Sequence, residues 1–179
     1  MIHKGFKPNK TPKEVFQEGA FGGTYFRPIY SSVTKRKYTA KQVIKEYPKS
    51  WFSGLDIEKM VTSPTYDKNV NKYKKKCGSS LEDWEKNDWI KEEDPYGWFQ
   101  WYCRYYMGRR SDDDERQIKR WLALTGPNGR FRRRLMNEII KQNKRYNDYT
   151  VSPVIRQVLL HWGYELTSED LKKYKRSLQ

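Results

Sequence analysis

Between residues 109 and 117 the chain reads Arg109-Arg110-Ser111-Asp112-Asp113-Asp114-Glu115-Arg116-Gln117, crowding carboxylates and guanidinia into one turn. A metal-dependent nuclease or base-processing enzyme needs two or three carboxylates converging on Mg²⁺ with a cation nearby, and Asp112, Asp113 and Asp114 supply those residue types. Consecutive acids at a helix start also satisfy free amides and complement the helix dipole with no metal at all. A second grouping, Thr125-Gly126-Pro127-Asn128-Gly129-Arg130, runs into Phe131-Arg132-Arg133-Arg134. Open amides at a helix N-terminus beside several guanidinia suit phosphate. The Lys and Ser/Thr pattern of a nucleotide P-loop is missing, so backbone phosphate of DNA or RNA is the better match. The alternative is an ordinary helix stop and start with a solvated basic face.

Two weaker groupings follow. Gly163-Tyr164-Glu165-Leu166-Thr167 joins two short helices in the manner of a helix-turn-helix, with Lys172, Lys173, Lys175 and Arg176 on the second, although any helical hairpin shares such a turn. Lys35, Arg36 and Lys37 follow the glycine- and aromatic-rich stretch Phe21 to Pro28, a mixture that fits a nucleic-acid contact or a lid over the core. The spacing supports neither a Ser/His/Asp triad nor a Cys/His pair: His161 falls on a helix beside a buried Trp162, and Cys103 falls within an aromatic helix. Two cysteines and two histidines are too few and too scattered for structural zinc, and no cofactor is implied.

The elements that must hold these groups can be read from capping signals and periodicity. Thr11-Pro12-Lys13-Glu14 and Thr39-Ala40-Lys41-Gln42 are capping boxes opening short helices, and Ser80 caps another that carries Trp84 inward, with Trp89 following as a core residue. A short strand is expected around Thr24 to Arg27, and residues 53 to 76 read as a looped connection. Asp94-Pro95 opens a helix to Gly108 holding seven aromatics, apolar around most of its circumference and therefore central, with Tyr96 and Tyr106 the rings expected to be partly exposed. Ser111 to Asp114 opens the next helix, which ends at Gly126-Pro127. An amphipathic helix over 128–146 faces Phe131, Leu135, Met136, Ile139 and Ile140 inward, with Arg130, Arg134, Lys141 and Arg145 outside. Two further helices start at Ser152-Pro153 and at Thr167.

Composition sets the frame. The 179 residues carry a formal net charge of +15 with 33% charged residues, which alone would suit a disordered chain; seven Trp, fourteen Tyr and seven Phe argue for a fold with an aromatic core. Residues 1–50 hold eleven Lys/Arg against three acids and residues 101–150 thirteen against six, whereas 51–100 hold eight against ten. A charge of this size favours a polyanionic partner. No stretch approaches the roughly 18 apolar residues of a membrane span. The opening residues lack the apolar run of a secretory signal, so an intracellular protein, nuclear or cytoplasmic, is expected, with a virion component the alternative.

The strings GAFGGTYFRPIYSSV, CGSSLEDWEKNDWIKEEDPYGWFQWYCRYYMGRRSDDDERQIKRW, GPNGRF and SPVIRQVLLHWGYELTSEDL resemble a functionally uncharacterised family of small basic proteins of eukaryotes and large DNA viruses. The resemblance runs from Gly19 onward and implies an intracellular protein of a eukaryotic or viral setting. It transfers no activity and no functional residue.

The reading is a mainly α protein: a flexible basic arm over residues 1–10, then a single compact helical domain over 11–179 with an aromatic-rich core and a small irregular or short-stranded N-terminal part. Its expected function is nucleic-acid binding, DNA ahead of RNA, through Arg109, Arg110, Arg130, Arg132, Arg133, Arg134, Lys35, Arg36 and Lys37. The alternatives are the Mg²⁺-dependent enzyme, and an architectural or virion protein that binds an acidic protein partner.

Overall fold

The computed structural model describes residues 4–179. It is mainly α, with one antiparallel pair of strands. Helix α1 (Pro12–Glu18) opens on the Thr11 capping box: the Thr11 hydroxyl accepts from the Glu14 amide and the Glu14 carboxylate accepts from the Thr11 amide. The strands are β1 (Ile29–Ser31) and β2 (Arg36–Tyr38), paired Ile29 to Tyr38 and Ser31 to Arg36. Extended pairing thus falls a few residues after the expected Thr24 to Arg27. That earlier stretch is itself a turn, closed by the Arg27 amide on the Thr24 carbonyl, and it follows a tight turn in which Phe21, Gly22 and Gly23 all have positive φ. Glycine is required at 23, because a Cβ there would sit 2.1 Å from the Lys59 carbonyl oxygen.

Short helices α2 (Ala40–Ile44), α3 (Ile57–Met60) and α4 (Leu81–Lys86) follow. The aromatic helix α5 spans Trp98–Tyr106. It begins later than Asp94-Pro95 suggests, because Gly97 at φ 91 breaks the path and leaves Asp94 free for another task. Helix α6 spans Asp114–Thr125, so only Asp114 and Glu115 lie in its first turn. Helices α7 (Arg130–Lys141), α8 (Pro153–His161) and α9 (Ser168–Ser177) complete the chain.

Two apolar clusters organise these elements. The first gathers Phe16, Phe26, Tyr47, Trp51, Phe52 and Val61 around the α5 rings, with Ile118, Trp121 and Leu160. Within it Phe99, Trp101 and Trp121 are wholly shut from solvent. Tyr96 is also buried, its hydroxyl donating to the Arg27 carbonyl, whereas Tyr106 is half exposed as expected. Trp89 stands 41% exposed rather than in the core. The second cluster is built by α7, α8 and α9: Leu135, Met136, Ile139, Val151, Leu159, Tyr164, Leu166 and Leu171.

Residues 1–3 lie outside the described residues, and residues 4–10 are not an arm. Phe6 inserts edge-on among Trp98, Trp101, Tyr102, Tyr105 and Trp121, with centroids 5.2 to 6.3 Å away. Asn9 and Glu165 exchange two hydrogen bonds of 2.8 Å, and the Lys10 amide donates to Gly163 O. Lys10 and Lys72 together hold Glu18 and Glu165 in a four-membered ring of ion pairs, 2.5 to 3.4 Å. Basic composition suggested a solvated tail; one phenyl ring among five others outweighs it.

Candidate nucleic-acid interface

The nine cations expected to meet phosphate divide by what they touch. After α5 the chain turns at Gly108, and Arg109 grips Asp94 through both terminal nitrogens at 2.7 and 2.6 Å. The Asp94 side chain is 2% exposed and also accepts from Arg104 at 3.0 Å. Arg132 is buried at the base of α7, its guanidinium 4.2 Å from the Tyr164 ring centroid and 3.6 Å from Asp170. Arg109 and Arg132 therefore belong to the framework, not to a surface open to phosphate. Arg110 lies flat on Tyr105 at 3.7 Å and donates to the Tyr105 and Arg109 carbonyls, a stacked guanidinium whose position is fixed. Arg130, Arg133 and Arg134 are exposed on α7, and Lys35, Arg36 and Lys37 are exposed on the hairpin; none of the six has a carboxylate within 4 Å among the described residues. The hairpin packs through Ile29 and Tyr38 on the first cluster and α7 builds the second, so these six cations stand on two distinct supports.

The acidic turn is taken apart in a similar way. Asp113 is buried and pairs with Arg116 and Gln117 on its own helix. Asp114 accepts the Trp101 indole N–H at 2.8 Å and both the amide and hydroxyl of Ser111 at 3.0 Å, tying α6 to α5. Asp112 alone points to solvent. Each of the three side chains faces a different partner or none, and among the described residues no three His, Cys, Asp or Glu side chains are disposed to hold a metal. The Mg²⁺ grouping suggested by the sequence is thus a set of caps and braces, consistent with dipole complementation.

The structure also joins groups that spacing did not. His161 Nδ1 lies 3.5 Å from Cys77 Sγ. Its Nε2 faces the Phe21 amide and the Gln157 side-chain nitrogen, each at 3.0 Å, so Nε2 is the acceptor and Nδ1 carries the proton toward sulfur. Burial pulls the imidazole down to about 3 and pushes the thiol up to about 12. Neither group ionises at neutral pH, so the thiolate–imidazolium pair of a cysteine nucleophile does not form. The partners lie 84 positions apart, which left no local pattern to read.

An open cleft bearing cations lies where the chain leaving α7 meets α9. Lys144, Arg145, Tyr146, Leu171, Lys172 and Lys175 line an open cleft of about 410 Å³. Only Lys144 has a carboxylate within 4 Å, Asp148 at 3.8 Å. Lys172, Lys173, Lys175 and Arg176 extend the exposed basic face along α9. Over residues 128–179 the chain carries twelve Lys/Arg against five acids. The α9 half is visible in the sequence as the outer side of a helix; the other half is not, because α7 ends at Lys141 and not at 146, leaving Lys144, Arg145 and Tyr146 in the chain beyond it, and the second cluster draws Tyr146 and Leu171 together.

These features define a mainly helical protein with an aromatic core and a basic C-terminal face. No protein-family model, curated protein or solved structure matches the chain. No described helix is long and apolar enough to cross a membrane.

Proposed function

We propose that this protein binds nucleic acid through phosphate contacts from its C-terminal helical face, principally Arg130, Arg133, Arg134, Arg145, Lys172 and Lys175. The observation that carries the reading is the contrast in how cations are used. Around the first cluster Lys10, Lys72, Arg104, Arg109 and Arg116 are engaged by carboxylates at 2.5 to 3.4 Å, whereas these six have none within 4 Å among the described residues. Unpaired exposed cations repel one another and are offset by a polyanion, whose condensed counterions are released on binding. The hairpin cations Lys35, Arg36 and Lys37 form a separate basic patch that extends the same chemistry.

The test is an electrophoretic shift series with DNA and RNA from low to moderate salt. Affinity should fall steeply with salt and should drop for Arg133→Ser/Arg134→Ser/Lys172→Ser. Absence of binding at low salt, or binding indifferent to salt, overturns the reading. Capture of an acidic protein that survives nuclease treatment would instead place the face in protein recognition.

A further inference from the structure

We infer that the cleft between the end of α7 and α9 receives an unpaired nucleotide, so that single-stranded nucleic acid is the preferred ligand; this rests on the nucleic-acid reading above and specifies it. A duplex presents phosphates to a basic face but keeps its bases stacked inside. A cleft is of use only to a base that can leave the stack. This one has the composition such a base requires: Arg145, Lys172 and Lys175 for the phosphate, with the Tyr146 ring as aromatic surface and the buried Leu171 in the wall. It is an open groove with about 410 Å³ of space, accessible to a strand running along the surface. No carboxylate lines it.

Position adds to composition. Tyr146 is half buried, packed against the second cluster and shared with a neighbouring cleft of about 330 Å³. That second cleft contains Glu165, whose carboxylate is taken by Lys10, Lys72, Tyr73 and Tyr149. With Glu165 holding Lys10 and Lys72, that side offers phosphate no unpaired cation among the described residues, so the strand is directed to the side of Tyr146 where Arg145, Lys172 and Lys175 stand. Stacking on an aromatic face is tolerant of sequence, because every base has such a face. The ligand expected is therefore a single strand bound with little base preference.

The experiment compares labelled single-stranded and blunt duplex oligonucleotides of equal length by fluorescence anisotropy at fixed low salt. Single strands should bind the wild-type protein at least about fivefold more tightly. Tyr146→Leu keeps apolar volume against the second cluster but loses the ring, and should lower single-strand affinity about fivefold or more while leaving duplex affinity unchanged. Tyr146→Phe should retain wild-type affinity, and circular dichroism melting confirms that each variant is folded. Lys172→Ser/Lys175→Ser, both exposed, should weaken both ligands. Equal affinity for the two forms, or Tyr146→Leu indistinguishable from wild type, overturns the cleft assignment while leaving phosphate binding standing. No binding of either form overturns both.

Discussion

Asp94 shows how one side chain changes meaning between sequence and structure. Beside Pro95 it reads as a helix opener, yet it is a buried acceptor for two arginines, Arg104 in the last turn of α5 and Arg109 just beyond it. Removing one partner of a buried pair leaves the others desolvated and uncompensated. Asp94→Ala should therefore cost about 3 kcal/mol, read as a lower urea midpoint with unchanged slope. His161 makes a second prediction. Its folded value of about 3 lies below the unfolded value of 6.5, because burial excludes the charged ring. The unfolded chain therefore binds the proton first: the stability due to neutral His161 is complete above pH 6.5 and is lost as pH falls toward 3. The loss over that span should be on the order of 4 kcal/mol, and His161→Asn should flatten this part of the stability profile.

At the scale of elements, the N-terminal segment is held by Phe6. Truncating a large buried aromatic costs about 3–5 kcal/mol, so Phe6→Ala should lower stability by that amount in a denaturant melt, where a solvated tail would show no change. The capped elements were legible because caps are local: Thr11, Thr39, Ser80 and Thr167 each accept from the amide three residues on, as their sequences advertise. Helices α7 to α9 were legible from their apolar spacing. What escaped depends on partners distant in the chain. Phe6 looked polar by association with its lysines, the strands shifted because the turn at Phe21 to Gly23 is set by Lys59 and Asn71, and Trp89 sits in the open despite its type. For the candidate site the outer cations of α7 and α9 were readable singly. The internal pairing of Arg109 and Arg132 and the closing of the Tyr146 cleft were not, since each needs a contact that only the fold supplies.

For the whole molecule, the cations behind a charge of +15 divide into those held in ion pairs, such as Lys10, Arg104, Arg109 and Arg132, and exposed ones without a carboxylate within 4 Å among the described residues, on the hairpin and on α7 and α9. The slope of log affinity against log salt should fall by about 1 for each of Arg133, Arg134 and Lys175 replaced by Ser, if each meets one phosphate. The same replacements should leave thermal stability within about 0.5 kcal/mol, as expected of surface changes away from packed features. The clasp between Asn9 and Glu165 carries a consequence for how the protein is made. Its partners are separated by 156 positions, and ribosomes add roughly 5–20 residues per second. Asn9 thus leaves the ribosome roughly 8 to 30 seconds before its partner Glu165, and the Phe6 ring is without its α5 partners until Trp98 to Tyr105 follow. Leu160 and Trp162, which pack in the first cluster, come later than all its other members, so that cluster is completed only once α8 has been made.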